Sequence, residues 1–421
     1  MANEYITGAL WSSTLPDWQR DYYSLLLLET LRAKSILVPY CAQKRDYAGA
    51  NSGVIIYTEV MDTEPDWSPL TESDIWLRGA HLDSRTVQIA LEIHGDILKF
   101  SEYSEIVQYV RKGDMNGLVR EKIGQNQTDY LDILARNAFA THPNPIYGGD
   151  ATSRASLVQA TSDYFDLGML ETMRIHLEEA DVPGVTPVSD NDIQTLVCMT
   201  TPRVIKDIRT SLTDWKSAQE YAGSVKLFNG EVGQWNGVRF IRTNRLRFKN
   251  AGLASFQTTL NGAVVAGQGS AGTVDTVYTP GQSNSTRYIL LTSTASLNVG
   301  DTITIHDATK GVTVLDSDGS QESRRVVSIA VGGAGRVALN KPLSKPHATG
   351  DYVTVAPDVH MATILGGPAV VYGVGEDPHV INPPVIDDLQ MVQRVGWRGF
   401  LKFQMFRPEF YEAAFVTGST D

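Results

Sequence analysis

DMNGLVREKIGQNQTDYLDILARNAFA, residues 114–140, is the stretch around which the chain is organised. Apolar residues return at Leu118/Val119, Ile123, Tyr130/Leu131, Leu134 and Ala138, a spacing that lines one side of a helix. At a rise of about 1.5 Å per residue such a helix is about 40 Å long, longer than most globular helices. Asp114 is placed to cap its start, and the Thr-His-Pro-Asn-Pro after Ala140 ends it, because a residue before proline avoids the α region. Upstream, SEYSEIVQYV from Ser101 reads as a short helical piece that stops at Gly113. The polar middle, Gly124 to Thr128, interrupts the apolar stripe. By itself the segment fits an ordinary core helix as well as the spine of an extended subunit, so the flanking sequence has to decide.

On the N-terminal side, residues 1–16 are small and polar and read as an arm ordered by a partner. Asp17 to Val38 is helical in pattern. At Gly53 the period changes. Val54 to Val60 is β-rich, and Thr86 to His94 alternates with Val87, Ile89, Leu91 and Ile93 on one face. Between these strands lies MDTEPDWSPLTESD, acidic and broken by proline, far longer than a tight hairpin turn. Such a hairpin is natural where it leaves its own domain and lies on a neighbouring subunit, which can cover its edge.

On the C-terminal side, Asn144 to Ala160 is a Gly/Ser/Thr-rich connection and Phe165 to Ala180 is helical. Ile193 to Thr200 reads as a buried strand, followed by a Thr201/Pro202 helix start and an amphipathic helix through Leu212. Asn236-Gly237 marks a turn into a strand at Val238 to Thr243. Strand and helix alternate here as in a small α/β layer. From Ala251 to Ala356 the composition shifts to Gly, Ser, Thr and Val with short alternating runs, the pattern of an inserted small all-β barrel or sandwich. Met391 to Thr417 is again β-rich and closes the main domain. The fold class is α+β.

Composition narrows the function. A net charge of -12 argues against a protein that grips nucleic acid by neutralising phosphates. The two cysteines, Cys41 and Cys198, sit in apolar company without metal-site spacing and read as buried reduced thiols. The longest apolar run in the first third, Leu25 to Leu28, is far short of the about 20 residues of a membrane span, and the N-terminus lacks the order of a signal peptide. These features lead us to expect a cytosolic protein with no membrane partner.

Catalytic and cofactor signals are weak. Gly267, Gly269 and Gly272 match a GxGxxG spacing, but no clear strand precedes them and no helix follows, so a loop is the better reading. DSDGSQE, with Asp316, Asp318 and Glu322, resembles part of a calcium loop but lacks its flanking helices, and we read it as a β-turn. The eight histidines are scattered without HExxH spacing and read as structural or solvent-exposed. There is no nucleophile elbow or phosphate-binding loop, and the adjacent Asp387 and Asp388 do not suit a catalytic pair. No enzyme activity, cofactor or metal is expected.

Several segments in order resemble the major capsid proteins of tailed phages with the HK97 fold, in particular the N4-like podovirus branch. They are LVPYCAQKRDYAGANSGVIIYTEV, DWSPLTES, IHGDILKFSEYSE, IRTSLTDWKSAQEYA, LFNGEVGQWNGVRFIRTN and AVVYGVGEDPHVINPPVIDDLQMVQRVGWRGF, and their neighbourhoods cover most of the chain outside 251–356. The resemblance implies an N-terminal arm and helix (1–52), an extended loop (53–100) and a peripheral domain with a spine helix (101–184). It further implies an axial domain (185–250) and a return to both domains (357–421) after the inserted β-domain. It implies a virion protein that assembles with itself into hexamers and pentamers of an icosahedral shell around double-stranded DNA, with a portal protein and in some shells a decoration protein. The stretch before Gly53 leaves little room for a fused scaffold, so a separate scaffolding protein is expected. Gly53 to Leu98 has no lysine, and Lys99 lies at the loop's base, so loop crosslinking through lysine is not expected.

For the contacts of the loop, Asp62, Glu64, Asp66, Glu72 and Asp74 would meet Arg111, Lys112, Arg120 and Lys122 of the next subunit, with Trp67 and Leu70 as apolar anchors. The competing reading of that loop is a solvated acidic surface. The competing function is a phage tail or adhesion protein whose β-domain binds carbohydrate; a cytosolic hydrolase has no nucleophile in its favour.

Overall fold

A computed structural model describes residues 35–44, 54–60, 83–101, 114–185, 195–211, 215–221, 230–264, 270–271, 288–307, 321–329, 335–341, 343, 345–381 and 392–419. The organising helix is present as α1 (Asp114–Phe139). Its apolar stripe does what the spacing predicts: Ile123, Ala135, Ala138 and Phe139 are buried, and Leu131 and Leu134 pack against the main core. At its end the Thr141 hydroxyl donates to the Ala138 carbonyl at 2.7 Å, before Pro143 and Pro145 prevent continuation.

Under α1 lies a four-stranded sheet in the order β1 (Ala42–Lys44), β20 (Val370–Ile381), β21 (Val392–Met405), β4 (Glu92–Ser101). The polar middle of α1 is its seam with this sheet. Asn126 Oδ1 accepts from the Trp397 indole N–H at 3.0 Å, and Gln127 donates to the Pro378 carbonyl at 3.0 Å. Trp397 is 1% exposed, so its N–H needs that acceptor. Tyr130 packs on the same indole at 5.4 Å and meets His94 Nδ1 through its hydroxyl at 3.0 Å. Gly95 makes room for the close strand: a Cβ there would sit 2.6 Å from the Trp397 carbonyl oxygen.

The expected hairpin is formed by β2 (Val54–Val60) and β3 (Ser84–Ala90), in antiparallel register from Val54↔Ala90 to Val60↔Ser84. One expectation here needs correction. The alternating run from Thr86 to His94 is two strands, because the chain changes sheets at Leu91 and pairs onward with β21 as β4. Ile89 and Leu91 are buried, but Ile93 is 77% exposed rather than continuing their face. Ser101, expected in a helical piece, is the last residue of β4, and residues 102–110 lie outside the described residues. Most of the helix expected over Asp17 to Val38 also lies outside them, and Val38–Tyr40 forms a 3-10 turn.

The second sheet has the order β5 (Ile146–Tyr147), β22 (Tyr411–Thr417), β19 (Val359–Leu365), β6 (Leu196–Thr200), β9 (Val238–Arg242), β8 (Glu231–Trp235), β7 (Lys216–Ser217), with β10 (Arg247–Phe248) also paired to β19. Strand alternation divides it into two faces. Val197, Met199, Met361, Ala413 and Phe415 face the core shared with α1. Cys198, Phe240, Ile364, Ala414 and Val416 face α2 (Leu167–Glu179) and α3 (Pro202–Ser211), through Leu170, Met173, Val204 and Ile208. The β8–β9 turn is Asn236-Gly237 with φ of 43° and 82°, the two positive angles that this hairpin type requires.

A third sheet, in the order β11 (Phe256–Thr259), β18 (Tyr352–Val355), β15 (Thr302–His306), β16 (Glu322–Ile329), β17 (Arg336–Leu339), β14 (Tyr288–Leu290), encloses its own cluster including Ile289, Ile303, Ile305, Val337 and Val353. A two-stranded ribbon, β12 (Ala263–Val264) with β13 (Ser270–Ala271), adjoins it. Both ends of this segment emerge together, because β10 and β19 pair through Arg247↔His360 and Phe248↔Val359. Asn250 ties the junction: its amide donates to the Thr302 carbonyl and Thr304 hydroxyl, both at 2.8 Å, and its oxygen accepts from Ala356 N at 3.3 Å. Glu322 corrects the β-turn expectation. It opens β16, is 5% exposed, and pairs with Arg324 at 2.8 Å, since a buried carboxylate needs counter-charge; His347 Nε2 lies 3.3 Å from its other oxygen. Asp316, Asp318, Gly267, Gly269, Gly272, Asp387 and Asp388 lie outside the described residues.

Candidate assembly interface

The surface-bearing element is the hairpin, and its base is built from β2, β3, β20 and the residues that follow β3 and β21. Ile55 and Ile89 face inward from β2 and β3 and join Leu91, Val371 and Phe406 in one buried cluster. Tyr57 meets the Phe406 ring edge-on at 4.4 Å. The opposite face carries Ile56 and Val60, which are 57% and 61% exposed. A strand with one face seated and apolar groups on the other offers area to a neighbour.

Charged groups fasten this base to the C-terminal segment. Glu59 and Arg85 are direct cross-strand partners, 3.2 Å apart, and Arg85 reaches on to Glu409 at 2.7 Å. Arg407 closes the group on Glu59, and the Arg85 guanidinium also lies 4.9 Å from the centre of the Phe406 ring. Partial burial would raise the Glu409 carboxyl, but the hydrogen bond from Arg85 and the charges of Arg85 and Arg407 hold it below its usual value. These groups were not singled out in the sequence. Cross-strand register could have suggested Glu59 with Arg85, but nothing local points to Arg407 and Glu409.

Most of the residues expected at the interface are not among those the structure describes. Asp62, Glu64, Asp66, Trp67, Leu70, Glu72, Asp74, Arg111 and Lys112 lie outside the described residues. Arg120 is in α1, with its side chain outside them too. Lys122 is half-buried on α1, with its ammonium 3.4 Å from Gln125 Oε1.

Among the described residues no three His, Cys, Asp or Glu side chains converge as a metal site. Cys41 and Cys198 are buried free thiols, and burial pushes both upward in pKa. His360 is 2% exposed and 2.9 Å from the Thr201 hydroxyl; burial, only partly opposed by Asp358, lowers it to about 4. Among the described residues, no helix is long and apolar enough to cross a membrane.

Residues 108–318, half of the chain, match the family described as phage capsid protein. The chain belongs to the phage capsid protein family. No curated protein matches this capsid protein. Among solved structures it is similar to the capsid of Ralstonia phage GP4, at 13% identity and a TM-score of 0.54, over 99% of this chain and 96% of that one. A capsid asymmetric unit of cyanophage Pam1 aligns over 100% of this chain and 99% of that one, at 9% identity and a TM-score of 0.47. The fold of this capsid protein is the α+β HK97 fold that the sequence resemblance implied. It is a structural protein of the virion capsid, and its family decides against the tail or adhesion reading.

Proposed function

We propose that this capsid protein is the major shell subunit, whose copies form hexamers and pentamers that close into an icosahedral shell around double-stranded DNA. The observation that carries the reading is the hairpin: seated on its own chain by Ile55, Ile89 and Phe406, it leaves Ile56 and Val60 open to a second copy. Closed symmetric assembly multiplies such modest contacts, because each subunit is held by several neighbours. The chain's net charge of -12 keeps a shell wall from holding the genome that must later leave.

In this scheme residues 53–100 are the extended loop, α1 is the spine of the peripheral domain, the sheet around β6 and β9 is axial, and 251–356 is an insertion. The acidic loop residues would meet Arg111, Lys112, Arg120 and Lys122 of the next copy, with Trp67 and Leu70 as anchors. Assembly takes place in the host cytoplasm with a separate scaffolding protein and a portal protein, and a decoration protein is a further candidate partner. The order of the capsid-like motifs favours the N4-like branch.

Negative-stain electron microscopy of the chain expressed alone, and again with its scaffold, tests the proposal. Closed shells or capsomer-sized rings are expected. Stable monomers under both conditions would overturn it. Replacing Trp67 and Leu70 by Ser should lower shell yield, and unchanged yield and shell stability would remove them as anchors.

A further inference from the structure

Between the last turns of α1 and the edge of the eight-stranded sheet, two arginines share one aromatic surface. The Arg136 guanidinium lies 4.4 Å from the centre of the Phe248 ring. Arg154 lies 5.4 Å from the same ring and 5.2 Å from Phe415, which is itself stacked on Tyr147 at 5.8 Å. Both side chains are half-buried.

Neither arginine has a carboxylate partner among the described residues. Arg136 donates to Asn137 Oδ1 at 3.1 and 2.8 Å and to the Arg247 carbonyl at 3.2 Å. The Arg154 guanidinium makes ring contacts but no hydrogen bond among the described residues. Asp358 is already taken, by the Arg247 side chain at 2.7 Å and the Asn250 N–H at 3.0 Å. The arrangement strains the cations electrostatically: burial, and then the neighbouring Arg154, push Arg136 down to about 10. Burial lowers Arg154 as well. Stacked arginines that have no counter-charge among the described residues, one with its planar fork of donors unused by them, match the geometry by which guanidinium groups take carboxylates two bonds at a time.

We propose that Arg136 and Arg154, seated on Phe248, form a binding site for carboxylate side chains of a neighbouring copy of this chain. The proposal rests on the shell-subunit reading, which puts a second copy within reach. Carboxylate is favoured over phosphate because the copy supplies it in excess, with 48 Asp and Glu against 36 Lys and Arg. The densest source is 62–74, where Asp62, Glu64, Asp66, Glu72 and Asp74 occur with no Lys or Arg between them. Extended at about 3.3 Å per residue, that loop spans about 40 Å, enough to follow α1 from Lys122 to Arg136.

The test uses the full-length unassembled chain and a fluorescein-labelled peptide of residues 61–75, with binding read by fluorescence anisotropy at low salt. Arg154→Ala should weaken binding about tenfold or more, Arg154→Lys should weaken it less, and a peptide with its acids replaced by amides should not bind. Near-UV circular dichroism checks the fold, and Arg154→Gln replaces the alanine variant if that one misfolds. Equal peptide affinity for wild type and the Arg154 variants would overturn the site. So would an Arg154-dependent affinity for a short DNA duplex with none for the peptide, which would assign the arginines to phosphate. Failure of the shell reading is seen separately, as wild-type protein that binds the peptide through Arg154 yet forms neither shells nor rings by electron microscopy.

Discussion

Asn126→Ala removes an exposed polar side chain from the middle of a helix, a change that is ordinarily close to neutral or mildly favourable by helix propensity. Here it should destabilise, because the partner left behind is buried. Trp397 is 1% exposed and its indole N–H donates to Asn126 at 3.0 Å. Leaving a buried donor unpaired costs about 1–3 kcal/mol, against a propensity gain of about 0.5 kcal/mol, so the net loss should be about 1–2 kcal/mol. Trp397→Phe removes the donor at the cost of some packing, and in that background Asn126→Ala should cost nothing. The assay is a double-mutant cycle by urea unfolding of the unassembled chain, followed by circular dichroism, with hydrogen exchange in α1 and β21 as a local readout. A coupling of about 1–3 kcal/mol is expected. If Asn126→Ala costs the same in both backgrounds, the bond does not hold the helix on the sheet and the account of the polar interruption is wrong.

Gly95→Ala would put a Cβ 2.6 Å from the Trp397 carbonyl oxygen, so it should destabilise by about 1–3 kcal/mol; an unchanged melting temperature would show that β4 can shift freely. His360 is held neutral in the folded chain, at about 4 against an ordinary 6.5, so its contribution is intact above pH 6.5 and is lost as pH falls toward the folded value. Between pH 7 and pH 5 this loss is about 2 kcal/mol, since only the unfolded chain takes up the proton, and His360→Gln should flatten that part of the pH–stability curve. Arg85→Ala should change global stability by only about 1 kcal/mol, because its ion pairs are partly exposed, yet should speed hydrogen exchange in Val54–Val60; unaltered exchange would mean that Ile55 and Ile89 hold the hairpin alone.

What the sequence determined by itself was local and periodic. The 3.6-residue return of apolar residues along 114–140 encodes a helix, and from Ile123 to Ala138 its buried side; the Thr201/Pro202 and Asn236-Gly237 signals encode a helix start and a hairpin turn. Chain spacing alone specifies these, because the interacting groups are a few residues apart. What tertiary structure decided was partnership. The polar interruption at Gly124 to Thr128 reads as a defect until Trp397 and Pro378, more than two hundred residues away, supply its hydrogen bonds. Ile93 follows the alternation of Ile89 and Leu91 but is exposed, because the chain changes sheets between them. Glu322 sits in a turn-like run but is drawn inside by Arg324 and His347. Arg85 with Glu409, and Arg154 with Phe248 and Phe415, are likewise invisible along the chain. Periodicity records which side of an element avoids water; which group then satisfies a buried charge or donor depends on segments that only folding brings together.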